Sequence, residues 1–275
     1  MRMPRIAATG AFLCLVLAIV ALAAPWLAPG DPSALGPAGA ELQAPSPEHP
    51  LGTDALGRDV LVRLIHGGRA SLLVGWFSVM VAVVLGTAVG LGSGLGPQWV
   101  DRLLMGVTDA FLAFPRVFLV LLLISVSTPS LGLVTVVLGL TGWMGVARLV
   151  RAETLSIRER DFVQAAHGLG LAPWRVAWVH VLPQLAATVV VAATLRIGTT
   201  ILIESFLSFL GLGAQEPTIS WGAMIQQGRG VLLEAWWLTT FPGLALTLTV
   251  LGYNLLGDGL RAVLDPRRTE GVRRD

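Results

Sequence analysis

DFVQAAHGLGLAPWRVAWVHVLP, residues 161–183, is a polar stretch of sequence between long hydrophobic runs. Two glycines near its middle, Gly168 and Gly170, are suited to ending a helix, since glycine adopts backbone conformations that other residues avoid. Pro173 is suited to the first turn of a second short helix. The segment therefore predicts a helical hairpin that lies outside the hydrophobic runs.

Small and polar residues recur at fixed spacing within this hairpin. Gln164, Ala165 and Ala166 are followed by Gly170 and then by Pro183. Because alanine side chains are short, the first helix is suited to entering a groove on another protein. The alternative is an amphipathic loop helix that packs on its own bundle.

The composition of the chain is that of a membrane protein. Of its 275 residues 54% are hydrophobic and 13% are charged, and the mean hydropathy is +0.74. About 20 apolar residues in a helix cross the roughly 30 Å hydrocarbon core of a bilayer. The long apolar runs predict an all-α integral membrane protein with six transmembrane helices, at residues 6–28, 71–95, 102–126, 131–149, 184–209 and 235–258.

The distribution of arginine predicts the orientation of these helices. Lysine is absent, so the 19 Lys and Arg residues of the chain are all arginines. Most of them fall at the two termini and in residues 148–175, whereas Arg58, Arg63, Arg69 and Arg229 fall on the opposite side. Because cytoplasmic segments are enriched in basic residues, we expect both termini and the hairpin in the cytoplasm. This bias explains the high pI without nucleic-acid binding.

The first span has an alternative interpretation as a cleaved signal peptide. Arg2 and Arg5 precede its apolar run, and residues 21–23, ALA, resemble a cleavage site. The apolar run is longer than the usual core of a signal peptide. Its length favours a helix that is retained.

The second span is rich in glycine. Gly86 and Gly90 form a GxxxG pair, which predicts close helix packing because small residues let helices in lipid approach backbone to backbone. Pro115 and Pro242 fall inside predicted spans and predict kinks there.

No catalytic or metal-binding pattern occurs in the sequence. Without lysine the chain cannot contain the GxxxxGK[ST] loop of P-loop ATPases. The histidines His49, His66, His167 and His180 are scattered, and the single cysteine, Cys14, lies inside the first span. We therefore expect a subunit that is not an enzyme and binds no metal or cofactor of its own.

Several longer segments together resemble one family of transporters. They are GTDALGRDVLVRL from Gly52, WVDRLLMGVTDAFLAFP from Trp99, ARLVRAETLSIRERDFVQAAHGLG from Ala147, ESFLSFLGLG from Glu204, SWGAM from Ser220 and FPGLALTLTVLGYNLLGDGLRAVLDPR from Phe241. With them, residues 51–267 are similar to the second permease subunit of dipeptide and oligopeptide ABC importers, a family that includes nickel permeases. Three positions depart from the usual pattern: Gln164 replaces Glu, Val62 replaces Ser and Glu216 replaces Pro.

The resemblance implies a type I importer permease in the bacterial inner membrane, with a five-helix core plus an N-terminal helix. Its implied partners are membrane lipid, a second homologous permease, two cytoplasmic ATPases that use ATP and Mg, and an external solute-binding protein. The solute would be a di- or oligopeptide, or alternatively nickel or another small solute. The hairpin would be the coupling helix on an ATPase, with contact residues Arg160, Asp161, Gln164, Ala165, Ala166, Gly170 and Pro183.

Two functions of other classes remain as alternatives. A secondary transporter would use an ion gradient and should carry carboxylates near the middle of the membrane. A structural or assembly subunit without transport would explain the spans but gives no reason for a hairpin rich in small residues.

Residues 52–68 predict a short amphipathic helix before the second span. Apolar residues recur there at helical spacing, Thr53 or Asp54 is suited to cap its start, and Gly67 and Gly68 are suited to stop it. Arg58, Asp59 and Arg63 would then face water on the outer surface. These four charged residues are candidates for external gating or docking. The alternative is a helix that only braces the bundle.

Two charged residues fall inside the fifth predicted span. Arg196 lies near its middle, where an arginine that faces lipid costs at least about 2.5 kcal/mol. Glu204 lies near its outer end. Both are candidates for the translocation path, and Arg196 is a candidate for attracting carboxylates of the solute. The alternative for Arg196 is a structural ion pair or snorkelling toward the membrane surface.

The sequence thus predicts four parts. Residues 1–28 form an N-terminal cytoplasmic stub and the first transmembrane helix, and residues 29–69 form an external linker with the amphipathic helix. The permease core spans 70–264, with the coupling loop at 151–183. Residues 265–275 form a cytoplasmic tail.

Overall fold

The computed structural model describes residues 5–264, apart from the side chain of His167. Residues 1–4 of the predicted stub, with Arg2, and the predicted tail at 265–275 lie outside the described residues. The helices of the described part are α1 Arg5–Leu22, α2 Ala24–Leu27, α3 Val60–Leu95, α4 Gln98–Leu112, α5 Arg116–Ser125, α6 Leu131–Leu140, α7 Trp143–Arg158, α8 Asp161–Gly168, α9 Pro173–Val176, a π-helical turn Ala177–Val181, α10 Leu182–Phe209, α11 Trp221–Gly228, a 3₁₀ turn Arg229–Val231 and α12 Trp237–Leu264.

Five helical stretches of the described part are long and apolar enough to cross a membrane. They are Arg5–Leu22, Val60–Leu95, Leu131–Arg158, Pro173–Phe209 and Trp237–Leu264. The bent pair of α4 and α5 makes a sixth if it is counted as one span. Each of the six predicted spans therefore has a counterpart in the structure.

The third predicted span, 102–126, is broken rather than straight. Its two parts, α4 and α5, are bent by 81° relative to each other. Pro115 explains the break, because proline lacks a backbone N–H and disfavours helical geometry at the preceding residue. At the start of α5, the carbonyl of Pro115 accepts a hydrogen bond from the Leu119 amide at 3.2 Å.

The second span begins earlier than predicted, because α3 is one continuous helix of 36 residues. A separate amphipathic helix at 52–68 is therefore a wrong prediction. Asp59 caps the start of α3 in place of Asp54, accepting a hydrogen bond from the Val62 amide at 3.1 Å. The external linker accordingly ends at residue 59.

Two glycines that were expected to stop the amphipathic helix lie inside α3. A Cβ on Gly68 would come within 2.7 Å of the Trp221 ring, and one on Gly67 would lie 3.4 Å from Ile219. The absence of side chains therefore makes room for the segment that precedes and begins α11. Sequence periodicity does not distinguish this use of glycine from helix termination.

A row of three glycines on α3 packs against α7, and we call it the glycine seam: Gly86, Gly90 and Gly94. A Cβ on Gly90 would lie 2.7 Å from the carbonyl oxygen of Ala147, and one on Gly94 would lie 2.5 Å from Thr154. Only glycine permits this approach of the two helices. The close packing predicted from the GxxxG pair is confirmed.

The bundle has two ends, which we name after the segments that cover them. The loop end carries residues 28–59, and the hairpin end carries α8 and α9. Helix α12 starts at the loop end, where the Trp237 indole donates to the Thr53 carbonyl at 3.1 Å. It runs antiparallel to α1 and reaches the hairpin end with Gly259 packed on Ala7. Both ends of the described chain thus lie at the hairpin end.

Candidate functional site

The hairpin consists of α8, a turn, α9 and the π-helical turn that leads into α10. Helix α8 ends at Gly168, and Gly170 in the turn has a φ of +76°. The amide of Leu171 donates to the carbonyl of Ala166 at 3.2 Å. In this Schellman arrangement a left-handed residue lets the chain satisfy carbonyls at the end of a helix. Pro173 opens α9, so the predicted two-helix hairpin is confirmed.

One face of the hairpin packs on the bundle. Val163 and Ala166 of α8 and Val176 of α9 are buried in an apolar cluster with Val150 and Ile157 of α7. Ala166 is only 4% exposed, so the prediction that it enters a groove on another protein is wrong. Its small side chain lets α8 lie close to its own bundle instead.

The opposite face of the hairpin is exposed. The remaining predicted contact residues are all exposed: Arg160 just before α8, Pro183 at the start of α10, and Asp161, Gln164, Ala165 and Gly170 in the hairpin. The Gln164 side chain donates to the Glu159 carbonyl at 3.2 Å and so lies along the start of α8. These groups are accessible to another protein, and their role in docking stays a prediction.

Large apolar residues stand beside this polar face, and the sequence reasoning missed them. Leu169 is 82% exposed, Trp174 is 68% exposed and Phe162 is 41% exposed. A single exposed apolar residue is common, but three on one short hairpin form an apolar edge suited to packing against a protein. The sequence alone did not indicate that these residues are exposed, because apolar residues also fit the inward face of a helix.

The end of α7, from which the hairpin continues, is joined to α3 and α4 by polar contacts. Arg158 donates to the carbonyl of Gly94 at 2.9 Å, at the last residue of the glycine seam. Two turns earlier, Arg151 forms a forked ion pair with Asp101 of α4, at 2.5 and 2.6 Å. Forked pairs fix the relative orientation of two groups. The Arg158 and Arg151 contacts thus join α3, α4 and α7 near the hairpin.

The predicted external arginines lie in a buried polar network at the loop end. Arg58 is 5% exposed and Arg63 is 1% exposed. Arg58 pairs with Asp54 at 2.7 Å and with Glu216 at 2.6 Å, and Arg63 donates to Gln227 at 2.9 Å. The expectation that these arginines face water is wrong, because α11 and the loop cover the start of α3.

Glu216 connects this network to solvent, since its side chain is half exposed. The hydrogen bond from Arg58 holds the pKa of Glu216 below its usual 4.5, against a smaller opposing effect of burial. Asp59 lies apart from the network, where it caps α3 and pairs with His49 Nδ1 at 2.8 Å. The four predicted docking residues therefore do not form one exposed patch.

Arg196 belongs to α10. Its side chain reaches the break between α6 and α7, where it donates a hydrogen bond to the carbonyl of Gly142 at 2.9 Å. Arg116, at the start of α5, donates to the carbonyl of Leu138 at 3.1 Å in the last turn of α6, next to the same break. Both side chains are partly buried. Among residues 5–264 neither guanidinium has a carboxylate in salt-bridge range, so the ion pair considered for Arg196 is not found there.

Glu204 is enclosed by serine hydroxyls. Its carboxylate accepts hydrogen bonds from Ser71 of α3 at 3.2 Å, and from Ser205 and Ser208 at 3.2 and 2.7 Å. The Ser71 hydroxyl in turn accepts from the amide of Trp221 at 3.3 Å. Glu204 has no exposed surface, so its predicted place on an open path is wrong for this structure. It joins α3, α10 and the start of α11 instead.

The described part of the chain brings together no group of three His, Cys, Asp or Glu side chains that could hold a metal ion.

Comparison with known sequences identifies close relatives. The family model of the binding-protein-dependent transport system inner membrane component matches residues 74–270. The dipeptide transport system permease protein DppC of Alkalihalophilus pseudofirmus is 38% identical over 263 residues, 96% of this chain and 86% of the relative. The glutathione transport system permease protein GsiD of Pectobacterium atrosepticum is 39% identical over 260 residues, 94% and 86% of the two chains. A putative peptide transport system permease protein of Brucella suis is 39% identical over 263 residues, 95% and 88% of the two chains.

A solved structure shows the same fold. A chain of the MetNI methionine ABC transporter, in an inward-facing conformation, aligns with a TM-score of 0.61 over 74% of this chain and 96% of that chain. The identity is 19%, so this likeness concerns the fold alone. The helical bundle has the predicted type I importer permease fold. The family model and the relatives together cover nearly the whole sequence, and the chain belongs to the family of binding-protein-dependent transport system inner membrane components.

Proposed function

We propose that this ABC importer permease carries short peptides, with nickel as the alternative solute. One observation carries the proposal: the chain is 38% to 39% identical, over 94% to 96% of its length, to permeases named for dipeptide, glutathione and peptide transport. Glutathione is itself a tripeptide. The three names therefore describe one chemical class of solute.

In this proposal the chain forms part of the path and hydrolyses no ATP. A second homologous permease completes the path, two cytoplasmic ATPases bind and use ATP and Mg, and an external binding protein delivers the solute. The lack of lysine supports a separate ATPase, because the phosphate-binding loop requires one. The family description, which refers to a binding protein, supports the external partner.

The proposed orientation has the hairpin end in the cytoplasm and the loop end outside the inner membrane. The arginine bias of the sequence supports it. Arg5 and Leu264 both lie at the hairpin end, so in this orientation both would lie on the cytoplasmic side. The layout then has a core at 60–264 with its coupling loop at 151–183.

The hairpin is the proposed point at which the ATPases act on the bundle. Its exposed polar face and the apolar edge of Leu169 and Trp174 would sit in a groove of one ATPase. Because Arg158 and Arg151 tie the end of α7 to α3 and α4, a push on the hairpin tilts these helices as a unit. Such rigid-body movement would switch the path between inward-facing and outward-facing arrangements.

Uptake by cells that lack this subunit tests the choice of solute. Labelled Ala-Phe, labelled glutathione and ⁶³Ni²⁺ are offered separately to deletion cells and to cells complemented with the wild-type chain. We expect peptide uptake to be lost on deletion and restored by the wild-type chain, with nickel uptake unchanged. Loss of nickel uptake with peptide uptake intact would contradict the proposal and favour the alternative.

A further inference from the structure

Two guanidinium groups meet at the break between α6 and α7, inside the apolar part of the bundle. Arg116 Nη2 donates to the carbonyl of Leu138, and Arg196 Nη1 donates to the carbonyl of Gly142. These carbonyls belong to residues about one helical turn apart, so the two side chains approach the same short stretch of backbone. Both acceptors are neutral.

Glycines at the break make room for both groups. A Cβ on Gly142 would lie 3.3 Å from Nη2 of Arg116. A Cβ on Gly145 would collide with Nη2 of Arg196. The backbone of α7 is therefore shaped to receive the two side chains.

The two positive charges are not balanced within the described chain. Among residues 5–264 no carboxylate lies in salt-bridge range of Arg116 or Arg196. The Nε atom of Arg116 is also buried without a hydrogen-bond acceptor. Carbonyls orient guanidinium groups but do not neutralise their charge. A cation in apolar surroundings is strongly stabilised by a negatively charged partner. An anion from outside this chain would supply that charge.

A cavity of about 440 Å³ lies between α7, α10 and α12, and neither of the two arginines is among its lining residues. Its wall includes Leu149, one turn beyond Gly145, and Ala192, one turn before Arg196. This volume is in the range of sites for small molecules. Most of the wall consists of small and apolar side chains, which place few demands on the shape of an occupant, and its two charged residues are Glu153 and Arg261.

We propose that Arg116 and Arg196 bind the C-terminal carboxylate of the transported peptide while the rest of the peptide occupies this cavity. The proposal rests on peptides being the solute. Every linear peptide with a free C-terminus carries this carboxylate whatever its sequence, so one binding site for the carboxylate would serve many different peptides. Arginine forks match a planar carboxylate, and a cavity with small apolar walls accepts varied side chains.

Protection of a cysteine in the cavity tests the proposal. Ala192→Cys is introduced with Cys14→Ala, which removes the only native cysteine of the chain, and the complete transporter is purified. Maleimide labelling of this chain is measured against increasing Ala-Phe or its C-terminal amide. We expect the free acid to protect at a concentration about tenfold lower than the amide.

Replacement of the arginines should remove this selectivity. In Arg116→Gln and in Arg196→Gln, the acid and the amide should protect at equal concentrations. Arg148→Gln is the matched control, because Arg148 is an exposed arginine of α7 that pairs with Asp109 at 2.6 Å. The control should retain the tenfold difference, and co-purification with the ATPases checks that each variant assembles.

Three results would overturn the proposal: no labelling in the absence of peptide, no protection by either peptide, or equal protection by both with the arginines intact. Equal protection is also what a carboxylate of the second permease at the arginines would give. ATP-driven uptake of Ala-Phe by the same transporter in proteoliposomes tests separately whether peptides are the solute and whether the two arginines bind their carboxylate. Absence of any peptide uptake refutes peptides as the solute, whereas normal uptake with equal protection refutes the arginine site alone.

Discussion

Gly170 shows how one backbone conformation shapes the hairpin. Its left-handed φ allows the amide of Leu171 to reach the carbonyl of Ala166, which ends α8 and turns the chain toward α9. The sequence predicted a glycine stop here, because glycine is the residue that adopts this conformation without strain. It did not predict that the adjacent Leu169 projects into solvent, since that depends on which way the turn faces.

Alanine at position 170 should therefore strain the hairpin. A side chain in the left-handed region costs about 1 kcal/mol, so Gly170→Ala should lower the thermal unfolding temperature of the purified permease. Gly170→Asn should have a smaller effect, because asparagine tolerates this conformation. Gly168→Ala is the control, since its φ is ordinary and a Cβ there meets no other atom. Equal losses at positions 168 and 170 would contradict the role given to the turn.

Glu216 gives the loop end a dependence on pH. The hydrogen bond from Arg58 depresses its pKa below 4.5 in the folded protein. The stabilisation is therefore fully present above that pH and is lost as the pH falls through the depressed value. The thermal unfolding temperature of Glu216→Gln should lie below that of the wild type at pH 7, and the gap should narrow as the pH falls below 4.5 and through the depressed pKa of Glu216. A gap that does not change with pH would show that this ion pair is not its cause.

At the scale of helices, the glycine seam determines how closely α3 and α7 pack. Part of the seam could be predicted, because a GxxxG pair in a transmembrane helix indicates close packing against another helix. The full length of α3 could not, because Gly67 and Gly68 resemble a helix stop in sequence while serving as contact points for Ile219 and Trp221. Tertiary packing decides between these two uses of glycine.

A matched pair of substitutions tests the seam. Gly90→Ala places a methyl group 2.7 Å from the Ala147 carbonyl and should destabilise the permease by about 1 to 3 kcal/mol. Gly92→Ala should be neutral or slightly stabilising, because its Cβ has no neighbour closer than a side-chain atom of Leu104 at 3.7 Å. Thermal unfolding in one detergent compares the two variants. A larger loss for Gly92→Ala would contradict the assigned packing face.

For the molecule as a whole, hydropathy predicted the number of spans because the bilayer imposes a fixed helix length. Burial of charged residues was harder to predict. Arg63 and Glu204 are enclosed by segments distant in sequence, α11 and the chain around it. Periodicity records which face of a helix is apolar, but it does not record which distant polar groups fold over that face.

The bundle links its two ends through long continuous helices. Helix α3 runs from the ion network at the loop end to the Arg158 contact at the hairpin end. In the proposed coupling, movement imposed on the hairpin would be transmitted along α3 toward the loop end. This coupling requires that the protein in contact with the hairpin is an ATPase.

Photocrosslinking in the assembled transporter tests this contact most directly. A benzophenone amino acid replaces Leu169 of the hairpin in one variant and Leu35 of the loop end in another, and these leucines are 82% and 72% exposed. We predict that position 169 captures an ATPase subunit and that position 35 captures none. Capture of the ATPase from position 35, with capture of the solute-binding protein from position 169, would contradict the account.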